Sequence, residues 1–256
     1  MQLEVLGCYG GVDPKHNSVT FLLDNKILLD AGTIVSPLTL ERQKKIQAIF
    51  ITHSHLDHIK DLCFLADNFV MMEKGPITVY GIPEVLDMIK KYVMNNKIWP
   101  DFFEIKGKKG KKVLSLYPIQ IGKQIRINGG YTFEAVKTNH SIDSSGYIVG
   151  KNGRYFVYTG DTGPCPELIE RLNSIDNLKA LFIEVSLPSD KEKLALITGH
   201  MTPALLMDNL KLLKNKKVKI YIFHIKPPFI EQIKQEFCGL KNNNIILLED
   251  GKKIKI

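Results

Sequence analysis

Ala48-Ile49-Phe50-Ile51-Thr52-His53-Ser54-His55-Leu56-Asp57-His58 passes from an apolar run straight into a cluster of three imidazoles and a carboxylate. Its first five residues, β-branched and aromatic, read as a short buried strand. His53 therefore stands at a strand end. In extended backbone residues i and i+2 point the same way, so His53 and His55 can grip one ion from one side. Asp57 and His58 open a predicted helix through Ile59, Leu62, Leu65 and Ala66, where the chain turns and a second ion can be held. The spacing suits two metals better than one. Helix capping by Asp57 would explain a carboxylate and leave three histidines unexplained.

Such a cluster needs donors from elsewhere in the chain. The sequence holds seven histidines: His16, His53, His55, His58, His140, His200 and His224. His140 follows the strand pattern Tyr131 to Val136 and opens a polar turn, Ser141 to Ser145. Asp161 lies in Thr159-Gly160-Asp161-Thr162-Gly163, directly after a predicted strand Arg154 to Tyr158. His224 closes the strand Val218 to Phe223. Each candidate thus stands at a strand exit, and exits along one sheet edge can converge on one crevice. His16 reads as a loop residue. Zinc suits this imidazole-rich, thiolate-free set, while manganese or iron also accepts imidazole and carboxylate.

Composition fits a single enzyme domain spanning residues 1–256. Cys8, Cys63, Cys165 and Cys238 are widely spaced and form no Cys-x-x-Cys pair, which reads as reduced thiols in a cytoplasmic protein. The start of the chain lacks a basic region followed by a long apolar run, and no apolar stretch approaches the roughly 20 residues that span a bilayer. These features weigh against secretion and against a membrane partner. The formal charge of +8 comes almost wholly from lysine, gathered in Lys106 to Lys112, Lys214 to Lys219 and Lys252 to Lys255. Nucleic-acid contacts favour arginine and interleaved aromatics, so these runs read as solvated faces. Some attraction for an anionic substrate remains.

Val19 to Leu23 and Lys26 to Leu29 read as a hairpin about Asp24-Asn25, and Asp250-Gly251 as a second hairpin turn. Asp30 begins a loop and is expected to steady the site from behind. Helical patterns recur at Glu84 to Val93, Glu167 to Leu172, Pro203 to Leu213 and Ile230 to Phe237. Neither a linker nor a short internal repeat is visible. Trp99, the one tryptophan, can wall a pocket or anchor a loop, and packing is the expectation. Lys226, near His224, reads as a solvated lysine with phosphate neutralisation as its alternative.

Taken as a whole, His-x-His-x-Asp-His followed by a lone His, a Gly-Asp-Thr and a last His resembles the metallo-β-lactamase superfamily. Within it the chain is most similar to the class II 3′,5′-cyclic-nucleotide phosphodiesterases, through Val79-Tyr80-Gly81, Lys97 to Phe102, Gly160 to Pro164, Phe182 to Ser186, Gly199 to Pro203 and His224-Ile225-Lys226-Pro227. It departs from the family pattern at Asp61, where a small residue, usually glycine, is expected, and at Cys165-Pro166, where an acidic one is. The resemblance implies an α/β fold, a four-layer αββα sandwich. It implies two divalent metal ions, the first on His53, His55 and His140 and the second on Asp57, His58 and His224, with Asp161 bridging both. A carboxylate suits that bridging role because its two oxygens can serve two ions.

The expected reaction is attack on a cyclic phosphodiester by a hydroxide shared between the ions, giving a 5′-nucleotide. His200, in Gly199-His200-Met201-Thr202-Pro203, is the expected proton donor to the leaving oxygen. Glu184 orients it, and Asp57 completes the catalytic set. The implied partner is a small phosphodiester such as cyclic AMP or cyclic GMP, and a homodimer is compatible with the family. A tRNA 3′-processing endonuclease is the alternative, with nucleic acid as partner. Its relatives typically carry glycine where this chain has Leu56 and extend a long arm that is not visible here. A flavin-coupled redox enzyme would need an appended domain, and a metal-free binding module would typically have lost ligands.

Overall fold

The computed structural model describes residues 1–107, 110–240 and 244–256. Six strands build the first half of the chain: β1 (Gln2–Gly7), β2 (Thr20–Leu23), β3 (Ile27–Leu29), β4 (Ala48–Phe50), β5 (Ile77–Gly81) and β6 (Leu114–Pro118). The second half adds β7 (Gln124–Ile127), β8 (Tyr131–Lys137), β9 (Ser145–Lys151), β10 (Arg154–Tyr158), β11 (Leu178–Glu184), β12 (Lys219–Phe223), β13 (Ile245–Leu247) and β14 (Lys253–Lys255). Among the described residues they form two sheets, ordered β14-β1-β2-β3-β4-β5-β6 and β13-β12-β11-β10-β9-β8-β7. Each begins as an antiparallel meander and continues as parallel strands from β3 to β6 and from β10 to β13. The two halves thus repeat one topology. No sequence period betrays this, because strand order constrains burial and not residue identity.

Parallel pairing forces crossovers, and the helices supply them: α1 (Leu40–Gln43), α2 (Leu56–Met71), α3 (Pro83–Met88), α4 (Pro166–Asn173), α5 (Glu192–Thr198), α6 (Pro203–Leu212) and α7 (Ile230–Gly239). The stripe Ile59, Leu62, Leu65, Ala66 and Phe69 of α2 is buried, as are Leu168, Ile169 and Leu172 of α4 and Ile230, Ile233 and Phe237 of α7. Such one-sided burial is what a helix covering a sheet requires. The expected αββα sandwich is the fold observed.

Aromatic rings join the sheets across the middle. Phe50 of β4 stacks on Phe133 of β8 with centroids 3.6 Å apart, and on Tyr80 of β5 at 4.5 Å. Phe21 of β2 meets Tyr158, Phe182 and Phe223 edge-on at 5.3–5.7 Å. Offset and edge-to-face pairs of this kind contribute about 0.5–1.5 kcal/mol each beyond area burial. They also fix the sheets in one relative position, so strand ends from both meet at one rim.

Asp24 and Asn25 both adopt positive φ, +46° and +56°, in the tight three-residue turn that joins Leu23 of β2 to its partner Ile27 of β3, so the expected hairpin forms. Asp250-Gly251 behaves otherwise. β13 pairs with β12 and β14 with β1, so this turn carries the chain from one sheet to the other and is not a hairpin. The Asp250 carboxylate accepts from the backbone N–H groups of Cys8 (3.0 Å) and Asn17 (2.9 Å). The helix expected to run to Val93 is α up to Met88 and widens to a π turn over Ile89–Val93. Helix α5 was not anticipated, since Leu194, Leu196 and Ile197 face solvent and give it no inward apolar stripe.

The departure at Asp61 has a structural reason. This buried side chain accepts from the backbone N–H groups of Ile34 (2.6 Å) and Val35 (3.0 Å) and pairs with Lys60 at 3.1 Å. It ties the loop after β3 onto α2. Asp61→Ala leaves two backbone donors without their acceptor and is expected to destabilise the fold by about 1–3 kcal/mol. Asp61→Asn, which keeps an acceptor oxygen, should lose less, as compared by denaturant midpoints.

Candidate metal centre

The parallel strands of both sheets deliver their C-terminal ends to one crevice. His53 follows β4, Asp161 follows β10, and Glu184 ends β11. His224 follows β12 at φ +66°. His55 caps α2 in extended backbone, and Asp57 and His58 lie in its first turn. His53, His55 and His140 bring one donor atom each within 4.8 Å of one another, and so do Asp57, His58 and His224. The Asp161 carboxylate lies between these groups: Oδ1 is 3.3 Å from His58 Nε2, and Oδ2 is 3.2 Å from His224 Nε2 and 3.7 Å from His53 Nε2. All seven residues that the sequence nominated are therefore brought together.

What lies behind each imidazole decides which nitrogen is free. His140 Nδ1 donates to the Gly199 carbonyl at 2.9 Å, leaving its Nε2 facing His55 Nδ1 at 3.2 Å. His58 Nδ1 donates to Asp30 at 2.8 Å. Asp30 also accepts from the Thr52 hydroxyl, the Thr52 N–H and the Tyr158 hydroxyl. Because the Thr52 hydroxyl spends its one proton on Asp30, its oxygen receives His53 Nδ1–H at 3.0 Å. Asp30 thus holds one histidine directly and another through a hydroxyl. Its expected supporting role matches these contacts.

A second carboxylate repeats the pattern. Glu184 accepts from His200 Nδ1 at 2.7 Å, from the Thr162 N–H at 3.1 Å and from the Ser186 hydroxyl at 2.7 Å. Ser186 in turn faces His224 Nδ1 at 2.7 Å. Thr52 and Ser186 were not singled out from the sequence. The signal was present for Ser186, two residues beyond Glu184 and hence on the same side of an extended segment.

This donor set fits a divalent cation. His53 Nε2, His58 Nε2 and Asp161 Oδ1 are buried without a hydrogen-bond partner, an arrangement that costs free energy unless something fills it. Burial and the neighbouring imidazoles push His53 well below the usual histidine range and lower His55 and His140, which keeps these rings neutral, the form that ligates metal. Asp161 is buried, yet the surrounding histidines hold its carboxyl well below the usual range. For His58 burial favours the neutral ring, but Asp161 and Asp30 outweigh it and raise the pKa. A cation between these groups would compete with that proton.

Other expectations resolve at the periphery. A cleft of about 590 Å³ borders His140, lined by Ile82, Ile121, Thr138, Ser141, Ile142 and Ser144 together with the charged Glu84, Lys137 and Asp143, a size suited to a small molecule. Trp99 packs, as expected: its indole N–H donates to the Cys63 carbonyl at 3.2 Å and its ring meets Phe64 edge-on. Lys226 Nζ contacts the Gly10 carbonyl at 3.4 Å, and His16 pairs with Asp13 in a loop. Of the basic runs, Lys216 caps carbonyls at the end of α6 and Lys112 pairs with Glu104 at 3.0 Å. Lys108 and Lys109 lie outside the described residues. No helix among the described residues is long and apolar enough to cross a membrane.

Gly10 gives the centre a separable test. A Cβ there would stand 2.8 Å from both Cε1 and Nδ1 of His224 and 2.6 Å from its carbonyl oxygen. Gly10→Ala should therefore displace the His224 ring and weaken metal binding by about tenfold or more. Chelator competition measures the loss, with circular dichroism confirming that the fold persists.

The architecture agrees with that of similar proteins. Residues 25–225 match the family model of the β-lactamase superfamily domain. The chain is 27% identical to a probable 3′,5′-cyclic-nucleotide phosphodiesterase of Yersinia pestis, over 89% of this chain and 79% of that protein. It is 25% identical to a ribonuclease Z of Borrelia duttonii, over 99% and 96%. The crystal structure of unliganded yeast PDE1 superposes with a TM-score of 0.80 at 19% identity, over 100% of this chain and 99% of that one. With two helix-flanked sheets and the His-x-His-x-Asp-His run at their common rim, the chain belongs to the β-lactamase superfamily and has the metallo-β-lactamase fold.

Proposed function

We propose that this protein is a metal-dependent phosphodiesterase that hydrolyses a 3′,5′-cyclic nucleotide to a 5′-nucleotide. The observation that carries the metal dependence is the set of buried, unpartnered donors on His53, His58 and Asp161. The cyclic-nucleotide reading is supported by the Yersinia relative, and the cleft beside His140 has room for a mononucleotide. His53, His55 and His140 would hold one ion, Asp57, His58 and His224 the other, and Asp161 both. Two divalent ions in such a site lower the pKa of water and neutralise charge on phosphoryl oxygens.

The chain's own residues supply the remaining steps. Asp57 is the exposed carboxylate of the cluster, at 31% side-chain exposure, with Oδ2 3.3 Å from His224 Nε2. In this reading it accepts a proton from the attacking water and orients it. His200 holds its Nδ1 proton on Glu184, so Nε2 is the ring atom that delivers a proton to the departing 3′-oxygen. Opening the six-membered phosphate ring then leaves a 3′-hydroxyl and a 5′-phosphate.

Purified protein incubated with cyclic AMP, cyclic GMP and a precursor tRNA, with metal added or chelated, tests the assignment. Metal-dependent turnover of a cyclic nucleotide is expected. Cleavage of the tRNA with no turnover of either cyclic nucleotide would transfer the reading to tRNA processing.

His200→Ala should retain the metals and lose about 10²- to 10⁴-fold in rate. Burial pushes the His200 pKa down, but the adjacent Glu184 outweighs this and raises it above the usual histidine value. An acid must be protonated to donate, so the rate falls as pH rises through that pKa. Glu184→Gln removes the charge that raises it, and the alkaline limb of the kcat/KM profile should move to lower pH.

A further inference from the structure

We infer that Ser186 is a positioning residue that fixes the ring of His224 for metal binding and makes Glu184 serve two histidines at once. This inference rests on His224 being a metal ligand. The evidence is directional. Ser186 is fully buried, and its hydroxyl has one proton. That proton goes to Glu184 Oε2 at 2.7 Å, because an ionised carboxylate only accepts. The Ser186 oxygen 2.7 Å from His224 Nδ1 is then an acceptor, and Nδ1 must carry the hydrogen. His224 Nε2 is left with its lone pair facing Asp57 at 3.3 Å and Asp161 at 3.2 Å.

The ring needs such fixing. His224 stands at φ +66°, a backbone region in which non-glycine residues are uncommon, and its carbonyl and ring fill the space that a Cβ on Gly10 would need. The second oxygen of the same carboxylate takes His200, so the two histidines share one anchor without competing for one lone pair. The site contains the same device once more, in His53, Thr52 and Asp30. That a hydroxyl stands between carboxylate and imidazole on both sides of the crevice argues that the relay serves the ligands and does not merely fill space.

The test uses full-length protein stripped of metal and reloaded with Zn²⁺ against a chromogenic chelator. Wild type should bind two ions. Failure of wild type to do so would remove the metal-site reading itself, independently of Ser186. Given two ions in wild type, Ser186→Ala should weaken one by about 10- to 100-fold and leave the other unchanged. The metal-free variant should keep the wild-type circular dichroism spectrum, although its melting temperature falls because Glu184 Oε2 and the His224 Nδ1–H lose their common partner. Ser186→Thr, which restores the hydroxyl, should recover affinity. The His224 Nδ1–H signal of the Zn²⁺-loaded protein should exchange slowly in wild type and rapidly in Ser186→Ala, a readout that stands even if the threonine methyl is not accommodated. Affinities for both ions unchanged from wild type in Ser186→Ala, or a slowly exchanging Nδ1–H in that variant, overturn the inference.

Discussion

Four of the histidines at the crevice depend on two buried carboxylates that stand behind them. Asp30 and Glu184 each take one imidazole directly and one through a hydroxyl, and so determine which nitrogen of His58, His53, His200 and His224 looks inward. Without that constraint a histidine presents either nitrogen, and a cluster of imidazoles is only a polar patch. With it, the Nε2 atoms of His53, His58 and His224 converge on Asp161. Supporting hydrogen bonds of this kind orient a metal site and raise the basicity of its ligands.

The carboxylates can act this way because the fold puts them on opposite sheets. Asp30 follows β3 and Glu184 ends β11, and the aromatic stack through Phe133, Phe50 and Tyr80 holds the sheets in register between them. The repeated half-topology makes the arrangement economical: the same strand-end position in each half carries either a donor or its anchor. Chemistry is confined to the rim, and the interior beneath it remains apolar and close-packed.

The sequence revealed the donors more fully than their supports. His53 to His58 are legible because metal-type residues at that density have no competing structural explanation, and His140, Asp161 and His224 because each ends a recognisable strand. Asp30 was legible for the same reason. Thr52 and Ser186 were not, since threonine and serine at strand ends are common and only the direction of a proton distinguishes a relay from a cap. Helix α5 escaped because its apolar residues point outward, opposite to the pattern that marks a surface helix. The Asp250-Gly251 turn was misread as a hairpin because local turn chemistry says nothing of which sheet the next strand joins.

That turn also shows how far the centre extends. The Asp250 carboxylate accepts from Cys8 N–H, and the Cys8 carbonyl accepts from His224 N–H at 2.6 Å. A residue 26 positions beyond His224 in the chain thus lies two hydrogen bonds from the backbone of that histidine. Sequence change in the loop between the two sheets therefore enters the chemistry of the crevice through main-chain geometry, and variation there should be weighed as variation at the centre itself.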